Sequence, residues 1–138
     1  MNARHTLLLA LSLCLGACGE VSFEAITTAP PDRVADLNEE EGTITLSRGV
    51  ALAIECTSSG SGHHGPCENM TRRVDDPRVA LALPADVDEL RDRYERGSVD
   101  TRQAAVLVVA GRAPGTTTVR VTTDRGGASF DVTVRDAP

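Results

Sequence analysis

The chain of 138 residues is long enough for one domain with its own core, and its formal net charge is −6 at pH 7. Every basic residue is Arg and the charges of both signs are interspersed, a distribution that does not resemble a nucleic-acid-binding patch. With no Trp, one Tyr and two Phe, the core has to be built from aliphatic side chains, and this composition favours β-structure.

The first segment in chain order has the features of an export leader. Arg4 and His5 precede an apolar run over residues 6–15, which is too short to span a bilayer as a helix. The run ends in Leu15-Gly16-Ala17-Cys18, which resembles the lipobox of bacterial lipoproteins. The resemblance implies a signal peptide over residues 1–17 and a lipid on Cys18. An ordinary signal peptide that leaves Cys18 as a free thiol is the alternative.

The lipoprotein resemblance also implies a location. Residue 19 is Gly, not the Asp that typically retains lipoproteins in the inner membrane, so the resemblance favours the outer membrane of a Gram-negative bacterium. The expected partners are the membrane, through the lipid anchor, and an unidentified protein or carbohydrate. No nucleic acid is expected.

Residues 18–41 are predicted to be the lipidated Cys and a flexible linker. Pro30 and Pro31 and the acidic run over residues 38–41 are typical of a tether. Fully extended, such a tether would hold the domain up to about 80 Å from the lipid. Two alternatives stay open: the alternation of Val21, Phe23 and Ala25 is compatible with an edge strand, and the acidic run with a cation site.

From Gly42 onward the apolar residues recur with a period of two, which predicts strands. The alternating positions are Ile44 and Leu46; Val50, Leu52, Ile54 and Cys56; Val79, Leu81 and Leu83; Val119 and Val121; and Phe130, Val132 and Val134. The last two sets flank a turn at residues 124–127 and are expected to form a hairpin. Residues 58–62 contain only Ser and Gly, and the segment 56–67 that the two cysteines bound is predicted to be a loop.

A short helix is predicted over residues 86–96. Asp86 with Glu89 has the spacing of a capping box, and Gly97 would end the helix. Residues 104–110 are apolar throughout, so the strand there should be covered on both faces. The helix is the expected cover, and a partner protein is the alternative.

Residues 111–121, Gly-Arg-Ala-Pro-Gly-Thr-Thr-Thr-Val-Arg-Val, resemble the signature of bacterial immunoglobulin-like domains of group 2. Residues 76–80 and 132–134 are similar to the family's mid-domain segment and closing strand. The resemblance covers residues 42–136 and implies an all-β, immunoglobulin-like β-sandwich of about seven strands, here with the helical insert. It also implies binding, adhesion or spacing at the cell surface or in the periplasm, with no catalytic residues and no cofactor.

Two cysteines remain once Cys14 leaves with the leader and Cys18 carries the lipid. Cys56 and Cys67 are expected to form a disulfide, because the exported compartment is oxidising, and closing this loop stabilises by roughly 3 kcal/mol. The alternative is a zinc or copper site made by Cys56, His63, His64 and Cys67, and with it a metal-binding lipoprotein, although the spacing fits no strong motif.

The remaining polar candidates have simpler interpretations. Asp75 and Asp76 before Pro77 indicate a solvated turn, with a calcium site as the alternative. Arg72 and Arg73 would either frame a strand or form a small anionic contact. An enzyme is not expected, because His63 and His64 are the only histidines after the leader and lie in the predicted loop.

Overall fold

The computed structural model describes residues 20–60, 62–93 and 98–137, and these residues form strands and short connections. In chain order the strands are β1 (Glu20–Ala25), β2 (Ala35–Asn38), β3 (Thr43–Ser47), β4 (Ala51–Gly60), β5 (His63–Pro66), β6 (Thr71–Val74), β7 (Ala80–Arg93), β8 (Ser98–Gly111), β9 (Gly115–Thr123) and β10 (Gly126–Arg135). Across these ranges no helix is long and apolar enough to cross a membrane.

The strands form two five-stranded sheets. Sheet A has the order β1-β4-β8-β7, with β5 paired to the far part of β4. Sheet B has the order β2-β3-β10-β9-β6. The strands pair antiparallel except β3 and β10, which run parallel. The architecture is a β-sandwich, as predicted.

The core lies between the sheets and is almost entirely aliphatic. Its largest fully buried side chains are Phe130, Ile44, Leu46, Leu52, Ile54 and Leu107. Phe23 of sheet A packs edge-on against Phe130 of sheet B, with ring centroids 5.1 Å apart and an interplanar angle of 84°. Such an aromatic pair contributes about 0.5–1.5 kcal/mol beyond the burial of its area, so both phenylalanines of the chain join the two layers.

The strands predicted from the period-two pattern are confirmed. Residues 43–47 form β3, the run that starts at Val50 forms β4, and the final hairpin is β9 with β10. The described ranges contain ten strands in all, more than the seven expected. One reason is that β4 continues to Gly60 and pairs with β5, so most of the predicted loop 56–67 is a hairpin.

The turn before β9 has the conformation that its sequence requires. Gly115 has a φ of 147°, a conformation that side-chain-bearing residues rarely adopt. A Cβ at this position would lie 3.1 Å from Cγ2 of Val79. The N–H of Arg112 donates to the carbonyl of Val79 at 2.8 Å, which fixes the turn against the start of β7.

The prediction of a flexible linker over residues 18–41 needs correction. β1 pairs with β4 over six residues, and Phe23 of β1 is only 3% exposed within the core. β2 pairs with β3. The strand alternative for residues 21–25 is the correct one, because the apolar side of this short segment is buried against Phe130. Cys18 and the leader lie outside the described residues.

The prediction of a helical insert over residues 86–96 is wrong for its described part. Residues 86–93 belong to β7 and pair with residues 98–105 of β8, continuing the register of the preceding residues. The capping box that favoured a helix is a local signal that contributes only about 1 kcal/mol. The ladder satisfies successive backbone groups, and it places Glu89 opposite Arg102 and Arg91 opposite Asp100.

Candidate functional site

The β4–β5 hairpin is closed by the predicted disulfide. The sulfurs of Cys56 and Cys67 are bonded to each other, with their Cα atoms 5.5 Å apart. Cys56 is fully buried and Cys67 is 7% exposed. The N–H of Cys67 also donates to the carbonyl of Cys56 at 3.1 Å. The bridge therefore joins sheet A to the segment that leads into β6 of sheet B.

The alternative of a metal site in this loop lacks its two sulfur ligands, because both sulfurs form the Cys56–Cys67 disulfide. His63 and His64 lie on β5, opposite Gly60 and Ser59 of β4, and His64 is exposed. A disulfide sulfur is not a thiolate, and thiolates are the ligands that a zinc site of this composition needs. Among the described residues no group of three or more His, Cys, Asp or Glu side chains is placed to hold a metal ion.

Asp75 and Asp76 lie in a shallow groove on the outer side of sheet B. Its volume is about 500 Å³, and its other lining residues are Thr116, Thr117, Thr118, Asp131, Val132 and Thr133. Asp75 accepts a hydrogen bond from Arg120 at 2.6 Å, and Asp76 accepts two from the Arg78 guanidinium at 2.8 and 3.0 Å. Both carboxylates already have a cationic partner, so the groove gives no support to a calcium site.

The pairing with Arg78 changes the acidity of Asp76. Side-chain hydrogen bonds from Arg78, together with its backbone N–H, lower the pKa of Asp76 below its ordinary value of 3.8. The same contact raises the pKa of Arg78. In addition, the N–H of Asp76 donates to Oγ1 of the buried Thr117 at 2.8 Å, so this turn is fixed from both sides. The polar groups of this turn are therefore engaged in hydrogen bonds that hold its conformation.

Arg72 makes a contact between the two sheets. It lies on β6, at one edge of sheet B, and its Nε donates to the carbonyl of Ala82 on β7 at 3.0 Å. Arg73 lies opposite Arg120 in the β6–β9 register. Arg72 lies within β6, and its guanidinium satisfies a backbone carbonyl at the edge of sheet A.

The outer face of sheet A carries an apolar row across four strands. Leu83 of β7 lies opposite Val108 of β8, and Val108 lies opposite Ala53 of β4. The N–H of Ile26 donates to the carbonyl of Ala53 at 2.9 Å, which continues the β1–β4 register one residue beyond β1. All four positions alternate with core positions and therefore point away from the core. We call Ile26, Ala53, Val108 and Leu83 the apolar row.

The apolar row is open to solvent at both ends. Leu83 is 53% exposed and Ile26 is 47% exposed, while Ala53 and Val108 are half-buried. Next to the row, Leu81 is 36% exposed and lies opposite Ala110. Exposed aliphatic side chains that are scattered singly need no explanation, but a contiguous apolar patch marks an interaction site.

Acidic residues border this row on one side. Glu24 of β1 lies opposite Glu55 of β4, and both are on the outer face, two residues along their strands from Ile26 and Ala53. Glu24 is exposed and Glu55 is half-buried. The outer face of sheet A thus combines an apolar row with an acidic margin.

Two features of the sequence are related to this surface, but they do not identify it. Residues 104–110 are apolar throughout, and the described part of the helix expected to cover them, residues 86–93, is a strand. Along β7, Ala80 and Ala82 are the buried residues, with exposures of 0% and 5%, so the larger Leu81 and Leu83 face outward. Alternation shows that two faces differ; it does not show which one meets the core.

Comparison with solved structures supports the fold. Domains 1–6 of the surface layer protein SbsC align with 86% of this chain, with a TM-score of 0.51 and 12% identity. Domains 4–9 of the same protein align with 85% of this chain, with a TM-score of 0.50 and 12% identity. This chain spans only 20% and 14% of the length of those two structures.

A third structure, of SbsC domains 4 and 5, aligns with 84% of this chain and 53% of its own length, with a TM-score of 0.48 and 12% identity. The sequence matches no family model and no curated protein. At this level of identity the likeness concerns the fold alone: the chain is an all-β sandwich similar to domains found in a surface layer protein.

Proposed function

We propose that this chain is a non-enzymatic, lipid-anchored envelope protein whose immunoglobulin-like sandwich binds a protein partner through the outer face of sheet A. The observation that carries the binding role is the apolar row, which crosses four strands and stays open at both ends. Lipidation of Cys18 and an outer-membrane location of a Gram-negative bacterium rest on the sequence of residues 15–19.

Two further observations support a role at the cell surface. Leu15-Gly16-Ala17-Cys18 has the form of a lipoprotein processing site. The fold is similar to that of domains from a surface layer protein. Adhesion and spacing between envelope components both suit a rigid sandwich that carries a binding face.

The partner should present an aliphatic surface with basic groups at one margin. The apolar row is lined by Ile, Ala, Val and Leu and offers no aromatic ring on which a sugar would stack. The margin at Glu24 and Glu55 is acidic, and the whole chain has a net charge of −6. A second copy would bring like charges together across this margin, whereas a basic-edged protein would complement it.

The test places a photocrosslinking amino acid at position 83 in cells, with the same amino acid at position 122 as the matched control. Thr122 is exposed on the outer face of sheet B, so it samples the other side of the sandwich. We expect a discrete crosslinked product from position 83 and none from position 122. The partner, identified by mass spectrometry and purified, should bind the unsubstituted domain directly.

Substitution Leu83→Ser should weaken that binding about tenfold, as expected for an aliphatic residue that becomes buried in an interface. Added salt should weaken it further if the partner's margin is basic. A crosslinked product of two copies of this chain would overturn the proposal that the partner is a different protein. Equal crosslinking at positions 83 and 122, or none at position 83, would overturn the binding face.

Lipidation is tested separately by the mass of the protein extracted from membranes. We expect the mass of residues 18–138 with acyl groups added, and loss of membrane association in Cys18→Ser. An unmodified Cys18 in the mature protein would overturn the anchor and leave the binding face to its own test.

A further inference from the structure

We infer that the sandwich lies directly on the lipid surface, with one defined end facing the membrane. This inference rests on the proposed lipidation of Cys18, and it adds the orientation that the fold then imposes. The membrane-facing end is the one that carries the start of β1, the turn of the β4–β5 hairpin and the far part of the β7–β8 hairpin.

The distance between anchor and domain is fixed by where β1 begins. Glu20 is the first residue of β1 and follows Cys18 by two positions. Two residues of extended chain span at most about 7 Å. Phe23 is 3% exposed in the core and pairs with Phe130, so β1 cannot leave the sheet to lengthen the tether without unpacking the core. The tether of up to about 80 Å that a flexible linker would give is therefore absent.

The register of sheet A shows which end lies next to the anchor. Glu20 lies opposite Ser59 near the end of β4, and Ser59 also lies opposite His64 of β5. The other end of β4 is Ala51, eight residues away, which corresponds to about 27 Å along the strand. His64 is thus close to the lipid surface, and the turn before Ala51, with the exposed Arg48, is remote from it.

The β7–β8 hairpin extends beyond the rest of sheet A at this same end. The last residue of β8 that pairs with β4 is Ala105, opposite Cys56. Ser59 lies three residues beyond Cys56 on β4. By the same antiparallel register, it is level with position 102 of β8. Ser98, where β8 begins, lies four residues further, about 13 Å beyond the level of Glu20. Because the anchor allows only about 7 Å, the far part of this hairpin lies at the level of the lipid headgroups.

The covalent anchor sets this orientation, and surface charge does not. β1 contains Glu20 and Glu24 and no basic residue, and residues 86–93 and 98–102 of the hairpin hold five acidic residues against three Arg, so neither segment has a net positive charge that would attract anionic headgroups. The orientation should therefore persist at high salt and in neutral lipids. It also places the apolar row away from the membrane, since Ala53 lies six residues, or about 20 Å, along β4 from Ser59.

The experiment uses the full-length lipidated protein reconstituted into phosphatidylethanolamine and phosphatidylglycerol vesicles that carry a nitroxide on the headgroup. Single cysteines are introduced as His64→Cys, Ser98→Cys and Arg48→Cys and labelled with one fluorophore under non-reducing conditions, which keep the native disulfide. We expect fluorescence at positions 64 and 98 to be quenched severalfold more than at position 48, at low and at high salt.

A spacer provides the matched control. Ten Gly and Ser residues inserted between Gly19 and Glu20 add a flexible reach of about 17 Å and leave both the anchor and β1 intact. Quenching at position 64 should then fall towards that at position 48. Equal quenching at positions 64 and 48 in a protein whose mass includes the acyl groups would overturn the orientation alone. Absence of acyl groups from the mass would overturn the anchor, and with it the orientation.

Discussion

The two outer faces of the sandwich differ in chemistry, although both sheets bury their inner faces in the same core. The outer face of sheet B consists of hydroxyl, carboxylate and guanidinium groups, among them Thr116, Thr118, Arg120, Thr122, Ser129, Asp131 and Thr133. The outer face of sheet A carries the apolar row. Folding requires one apolar face from each sheet. On the outer face of sheet A, Val106 is itself buried at 1% exposure, but Ile26 and Leu83 are not, so the exposed part of the apolar row is not explained by the domain's own stability.

The polar face shows what a solvated sheet looks like in this chain. Thr118 donates to Asp131 across the strands at 3.1 Å, and Arg120 donates to Asp75 at 2.6 Å. These contacts are exposed and contribute at most about 1 kcal/mol each. The same chain therefore has the residues to make a solvated outer face, and sheet A departs from that pattern over the apolar row.

The largest expected effect concerns the strand that was predicted to be a linker. Phe23→Ala should lower the free energy of unfolding by about 3–5 kcal/mol, because it removes a buried ring from between the two sheets. Urea unfolding followed by circular dichroism measures this. Glu24→Ala, one residue along and exposed, should change stability by no more than about 0.5 kcal/mol. Equal effects of the two changes would mean that β1 is not part of the core.

The disulfide should have the next largest effect, since it ties sheet A to the segment that enters sheet B. The bridge closes a loop with a sequence separation of 11, and the double variant Cys56→Ala with Cys67→Ala should lose about 3 kcal/mol. Intact mass with thiol labelling, without reductant, should find no free thiol at either position in the unsubstituted protein. Two labelled thiols would contradict the disulfide and would favour the alternative of a metal site made by Cys56, His63, His64 and Cys67.

Substitution on the apolar row should hardly affect folding. Leu83→Thr makes this position resemble the outer face of sheet B, and it should change the free energy of unfolding by no more than about 0.5 kcal/mol, because Leu83 is 53% exposed. Leu107→Ala on the adjacent strand, at 0% exposure, should cost about 2–5 kcal/mol. If Leu83→Thr cost as much as Leu107→Ala, the row would belong to the domain's own packing and not to a partner.

Much of the sandwich follows from the sequence alone because four of its strands alternate clearly. β3, β4, β9 and β10 have one polar and one apolar side, and their turns carry Gly where φ is positive, as at Gly49 and Gly126. The disulfide also follows, since it joins the two cysteines that remain when residues 1–17 are interpreted as a leader and Cys18 as the lipidated residue. These features are encoded within a few residues of one another.

What could not be predicted depends on contacts between distant segments. β1 is a strand because Phe23 meets Phe130, more than a hundred residues later. Residues 86–93 are a strand because β8 supplies a partner, although their local spacing favours a helix. The apolar row draws on four strands, and no window of the sequence contains it. Long-range pairing therefore decides both the fold of these segments and the candidate site.

The smallest expected effect concerns the acidic turn beside sheet B, where the charges are structural. Hydrogen bonds from Arg78 hold the pKa of Asp76 below 3.8, so the folded state favours the carboxylate. A depressed folded pKa gives a stabilisation that is present above the unfolded pKa and is lost as the pH falls through the folded pKa. The loss should therefore begin near pH 4 and be complete only below the folded pKa. Carbon-detected NMR titration of Asp76 should give a midpoint below 3.8, and Arg78→Gln should raise it towards the ordinary value, since the variant loses the guanidinium but keeps the backbone N–H. An unchanged midpoint in Arg78→Gln would show that the pair does not persist in solution, and that this turn is fixed by its contact with Thr117 instead.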